Sequence, residues 1–174
     1  MAILNDKLSY EYVRGLVEGK GSFSFCSIGW KGEKNRRKLP AFILSMSKQD
    51  KELMEKVKNT LGLRNKVYEY APRKAKDSYN RQGMCILIIR DVGQLKNKIV
   101  PLFYKKLRGN KGKQFELWLE KIGNDPNVPD SYKFIYRLYK SGFYEKDNWL
   151  TKQYDDNMAI SQIKVSQQTL FCDR

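Results

Sequence analysis

A chain of 174 residues, 41% hydrophobic and 13% aromatic, carries enough apolar material to bury the core of a single domain. Its 34 Lys and Arg against 19 Asp and Glu give a net charge of +15 with no histidine, so the charge favours a polyanion and is not switched by mild acidification. No segment approaches the roughly 20 apolar residues of a membrane span, and Met1 to Lys7 holds no apolar run of signal-peptide kind, so a soluble, intracellular chain is expected.

In chain order, Tyr10, Val13, Leu16 and Val17 recur at helical spacing. Gly15 and Gly19 stand about one turn apart and leave a groove where another backbone could approach closely. Gly21 stops this helix. From Ser22 the period becomes two, with Phe23 and Phe25 pointing one way and Ser22, Ser24 and Cys26 the other. A glycine-punctuated basic loop from Gly29 to Lys38 leads to a second strand, Ala41 to Ser47, which makes a hairpin with a charged tip. Asp50 opens a helix whose buried stripe is Leu53, Met54, Val57 and Leu61, and Gly62 sits where it would end.

Val67 to Tyr70 and Cys85 to Ile89 read as another strand pair, and their connection is basic through Arg73, Lys74, Lys76 and Arg81. A helix from Val92 to Tyr104 follows, with Pro101 inside it or at its break, then one from Phe115 to Ile122. Pro129-Asp130 begins a third, with Phe134, Ile135 and Leu138 on its inner face and Gly142 as its stop. Residues 1–153 are therefore expected to form one α+β domain with an antiparallel sheet, and 154–174 a polar, loosely held tail. Cys26, Cys85 and Cys172 are widely spaced, odd in number and unaccompanied by histidine, which argues against a zinc site and a disulfide framework and for a reducing compartment.

The stretch Val13 to Gly21 resembles the signature of the LAGLIDADG homing endonucleases, with Gly15, Leu16, Val17, Glu18, Gly19 and Gly21 matching in identity or type. A second family-like stretch runs from Leu44 through Ser45, Met46, Ser47, Lys48, Gln49 and Asp50 to Met54, and on to Leu61-Gly62. The resemblance covers roughly residues 8–122. It implies an αββαββα fold with a saddle-shaped antiparallel DNA-binding sheet and C-terminal helices. The signature occurs once, which implies a homodimer meeting through Val13, Gly15, Leu16 and Gly19, and a long pseudo-palindromic duplex DNA target. Packing of the glycine pair inside one chain is the alternative, and Arg14 is unexpected at an interface.

The chain departs from the family at Lys20. There the family carries an acid at the foot of the helix that, with backbone carbonyls such as that of Gly19, holds a divalent metal, magnesium in an active parent form. A lysine offers three donors and no acceptor, so cleavage is expected to be lost or severely reduced, whether Lys20 is natural or introduced. Glu18 is the signature's remaining carboxylate and in the family mainly holds the helix end. Lys48 stands where the family usually has a water-ordering glutamine, with Gln49 next to it; Lys111 best matches the lysine that stabilises developing negative charge, with Lys113 a close rival. A lysine at position 20 or 48 could pair with phosphate directly and strengthen binding.

On the family pattern, the DNA-reading face comprises Ser24, Cys26, Ile28 and Trp30, then Ala41, Ile43 and Ser45, then Tyr68 and Tyr70. This apolar set favours thymine methyl contacts and shape readout, unless Arg73, Lys74 and Arg81 turn into the groove. Lys34, Arg36, Arg37 and Lys38 are phosphate contacts or a solvated tip. Two other classes stay open: a maturase-like RNA-binding splicing cofactor, and a DNA-binding regulator with no catalytic history; a basic structural protein is the remainder. Richness in Lys, Asn, Tyr and Ile suits an AT-rich organellar frame, in a mitochondrion or chloroplast.

Overall fold

Ser9 starts the first helix, its hydroxyl accepting the Tyr12 N–H at 3.1 Å, and α1 runs Tyr10–Lys20 with Val13 and Val17 buried. In this computed structural model, residues 7–74 and 80–154 are described. The chain leaves α1 at Gly21, where a Cβ would stand 2.5 Å from Val17 Cγ1 and 2.9 Å from the Val17 carbonyl oxygen. Only a residue without a side chain fits that turn from helix to strand.

Strand β1, Gly21–Ile28, pairs antiparallel with β2, Arg37–Ser47, Gly21 lying opposite Leu44 and Ile28 opposite Arg37. β2 thus begins earlier than its apolar residues suggested, and Arg37 and Lys38 belong to the strand, not the tip. A short 3-10 turn, Lys48–Asp50, precedes α2, Lys51–Thr60, and Gly62 closes that helix at φ 58° as its position indicated. β3 is Val67–Tyr70, β4 Arg73–Lys74, β5 Asn80–Arg81 and β6 Met84–Ile89. The main sheet has the order β1-β2-β6-β3, all neighbours antiparallel, while β4 and β5 pair as a separate ribbon. Lys76 lies outside the described residues.

The inner face of the sheet buries Phe42, Leu44, Leu87 and Ile89 completely or nearly so. Phe23 lies among Phe42, Phe103, Phe115 and Trp118, with ring centroids 4.8–5.8 Å away. The helical run expected from Val92 comes in pieces: α3, Val92–Gln94, a π-helical turn, Leu95–Ile99, and α4, Val100–Phe103. Pro101 has no N–H to offer the Asn97 carbonyl one turn back. Two late side chains replace it, Gln153 Nε2 at 3.1 Å and the Tyr154 hydroxyl at 3.3 Å.

α5, Asn110–Asn124, and α6, Asp130–Lys140, meet where the Tyr136 ring lies over Gly123, so that a Cβ there would be 2.3 Å from ring carbons. The inner face of α6 is carried by Tyr132 and Ile135. Phe134 instead points outward, 46% exposed, with Lys96 Nζ 5.2 Å from its ring centroid. The helix stops before Gly142 at φ 70°, and α7, Trp149–Lys152, follows. Tyr154 is buried, edge-on to Tyr10 at 5.1 Å, and so belongs to the body; the rest of the expected tail, 155–174, lies outside the described residues. No described helix is long and apolar enough to cross a membrane.

Candidate nucleic-acid interface

Strand register decides which residues share the sheet's outer face. Ser24 faces Ala41 across β1 and β2, Cys26 faces Leu39 and Ile28 faces Arg37; Ile43 then faces Ile88, Ser45 faces Ile86, and Tyr68 and Tyr70 face Ile86 and Met84. The residues expected on one face are therefore brought together except Trp30, which lies past the end of β1 at the hairpin tip and is not in the register of the sheet. Ile28, Tyr68, Tyr70 and Met84 are 41–49% exposed, whereas Ala41, on the same face, is fully buried beneath its neighbours. Met84, Ile86 and Ile88 were missed. Ile86 and Ile88 lie in an uninterrupted apolar run, which carries no alternation to show its two sides.

At the first hairpin tip Trp30 is 88% exposed and Lys34 is open. Arg36 is half-buried, with Nη2 donating to the Gly29 carbonyl at 3.4 Å. Lys38 departs from its expected place. It lies on the opposite side of β2 from Arg37 and binds Asp125 Oδ2 at 2.8 Å, tying the hairpin to the loop between α5 and α6. The Lys38 ammonium, aided by the Asn127 N–H, holds the Asp125 carboxyl below its ordinary range. Arg73, Lys74 and Arg81 are exposed on the small ribbon, and Arg81 joins Ser47, Lys48, Gln49, Pro72, Asn80 and Gly83 around an open hollow of about 500 Å³.

The foot of α1 is a corner of positive charge. Lys20 is exposed, and the Glu18 carboxylate accepts the backbone N–H groups of Arg108 and Gly109, the latter at 3.2 Å from each oxygen. This bond holds the head of α5, with Lys111 in its first turn and Lys113 after it, against the end of α1. Lys48 has a partner of its own: it begins the 3-10 turn after β2, and its ammonium is 3.7 Å from Glu69, which also binds Lys51. The Lys51 hydrogen bond, more than any other contact, lowers the Glu69 pKa. The donors at the foot do not fit a divalent cation within one chain. Lys20 has no lone pair to give, both Glu18 oxygens face amide N–H groups, and no cluster of three or more metal-binding side chains occurs among the described residues.

The other side of α1 is bare. Gly15 and Gly19 are exposed with nothing within 4 Å of where a Cβ would stand, Tyr12 beside them is 49% exposed, and Leu16 is half-buried. Packing within this chain therefore does not use the glycine pair among the described residues. Val13 does not belong with them, being wholly buried in the core. Arg14 also turns inward: Nε donates to the Leu102 carbonyl at 3.0 Å and Nη2 to the Tyr154 carbonyl at 2.7 Å. Its charge thus caps the end of α4 and leaves the glycine face clear.

A glycine-faced helix running into an antiparallel sheet, with a half-open outer face and a basic hairpin tip, defines a class of protein. The sequence profile described as LAGLIDADG endonuclease matches residues 13–122, and the chain belongs to that family. Among solved structures it is similar to the I-LtrWI LAGLIDADG homing endonuclease bound to target DNA, at 27% identity over 65% of this chain and 36% of that one, with a TM-score of 0.51. The fold is shared with the LAGLIDADG meganuclease I-CpaMI bound to uncleaved DNA, at 17% identity over 83% and 45% of the two chains (TM-score 0.54). It is shared as well with the homing endonuclease I-TnaI, at 21% identity over 90% and 99% (TM-score 0.50). The chain thus spans less than half of the first two relatives and nearly all of the third. No curated protein matches it.

Proposed function

We propose that this chain binds duplex DNA site-specifically in the manner of a homing endonuclease, as a homodimer on a pseudo-palindromic site, and that the present form is impaired in cleavage. The observation that carries this reading is the outer face of the sheet: no described element covers its half-exposed residues, and a cationic tip flanks it. A two-stranded ribbon fits the major groove, where Ser24, Ile43, Ser45, Tyr68 and Tyr70 would meet base edges and thymine methyl groups. Lys34, Arg37, Arg73, Lys74 and Arg81 would hold phosphates and fix the register.

Dimer formation is supported by the bare stripe of α1. Gly15 and Gly19 each cost a helix about 0.5–1 kcal/mol relative to alanine, and within the chain nothing exploits their small size. A second α1 would. Impaired cleavage is supported by Lys20, whose ammonium at the foot would bind a phosphate oxygen instead of presenting a ligand to a cation, and by Lys111, a further positive charge in the first turn of the helix whose head Glu18 holds.

The test compares this chain with Lys20→Glu on a random duplex library at fixed ionic strength, measuring cutting in magnesium and retention in calcium. The expected result is a discrete duplex retained by the unaltered chain and cut only by Lys20→Glu. Retention of no discrete duplex by either protein would overturn the DNA reading. Cutting by the unaltered chain at the rate of Lys20→Glu would overturn the impairment.

A further inference from the structure

The tip of the first hairpin is built to display one side chain. Trp30 is the most exposed large apolar residue described, at 88%, and Ile28 just before it is 45% exposed. An indole left in water forfeits the burial that most tryptophans find, so its neighbours matter. They are cationic: Lys31, Lys34, Arg36 and Arg37, with Glu33 the one acid of the segment 29–38. The turn is also held in shape. Gly29 takes φ 129°, which L side chains rarely adopt; the Glu33 N–H closes on the Trp30 carbonyl at 3.1 Å; and the Arg36 guanidinium reaches back to the Gly29 carbonyl. The order of the loop is thus spent on presenting Trp30 rather than on covering it.

From this geometry, and resting on the DNA-binding reading above, we infer that Trp30 is a stacking wedge that enters a base step of the duplex and partly unstacks it, while the surrounding Lys and Arg hold the flanking phosphates. An aromatic face stacks on any base, so the contact reads no hydrogen-bond pattern. It reads deformability, and pyrimidine–purine steps, which open most easily, are the favoured steps. The eight residues of β1 span about 25 Å between the foot of α1 and the tip, or about seven base-pair steps, so each protomer would open one step about that far from the point where its foot meets the DNA. The protein would then select its site partly at a position it does not read by base edges.

The experiment uses a duplex of about 40 base pairs recovered from the random library, with 2-aminopurine moved step by step along it, and the unaltered chain, Trp30→Ala and Trp30→Phe. Trp30 has almost no contact with the body, so the substitutions leave the fold intact. With the unaltered chain, 2-aminopurine should brighten at one position on each side of the centre and stay dark with Trp30→Ala. Trp30→Ala should bind roughly tenfold more weakly with the same slope of affinity against salt, and Trp30→Phe should recover most of the loss. Equal affinity for Trp30→Ala, brightening that survives the substitution, or a loss accompanied by a shallower salt slope would each overturn the wedge while leaving DNA binding in place. If the unaltered chain recovers no duplex, the DNA reading falls and the wedge falls with it.

Discussion

On one side of α1, Val13 and Val17 are completely buried and the chain turns so tightly at Gly21 that Val17 leaves no room for a methyl group. On the other, Tyr12, Gly15 and Gly19 face open space. The inner side is satisfied by its own chain, down to the Arg14 guanidinium that bonds two carbonyls behind the helix. The outer side carries residues that weaken a lone helix and improve no contact in it. Such a difference shows where residue choice answers to a surface other than the chain's own core, and exposure alone would not have revealed it.

Filling the bare side of α1 has the largest expected effect. Gly15→Leu with Gly19→Leu should turn a sedimenting dimer into a monomer and weaken binding to a two-fold duplex by about 100-fold or more, with the melting transition retained. Filling the inner side should do the reverse. Gly21→Ala forces its Cβ against Val17 and should cost about 2–3 kcal/mol in urea unfolding, measured below the dimer dissociation concentration. The smallest effect sharpens the contrast: Gly15→Ala meets nothing within the chain and should stabilise the monomer by about 0.5–1 kcal/mol on that same urea curve. A destabilising Gly15→Ala would mean that the bare side is already in use within one chain.

Much of this organisation was legible in local sequence because it depends on neighbours in the chain. The change of period at Gly21, the alternation through Phe23 and Phe25, and the glycines at 62 and 142 are set by backbone geometry over a few residues. The misplaced residues are those decided by distant partners. Val13 groups with Gly15 at the expected dimer contact until the core cluster that it joins settles which way the helix faces. Lys38 read as a tip cation because Asp125 is far along the chain, and Tyr154 read as tail because its partners are Tyr10, Arg14 and Asn97. Phe134 read as core because three apolar residues at helical spacing do not say where a stripe ends. At the site, the departures at Lys20 and Lys48 were visible in sequence, while the engagement of Glu18 with the head of α5 needed the fold.

The clamp of Arg14 on the Tyr154 carbonyl joins positions near the two ends of the described chain. During synthesis, then, the helix proposed to recognise a second copy lacks its backing until residue 154 has left the ribosome, and the Asn97 carbonyl freed by Pro101 waits for that same segment. Any pairing through α1 in the proposed dimer is thereby deferred until residue 154 has emerged, and a chain shortened to residue 150 should form α1 and its sheet yet leave the Arg14 side of that helix without its Tyr154 carbonyl partner.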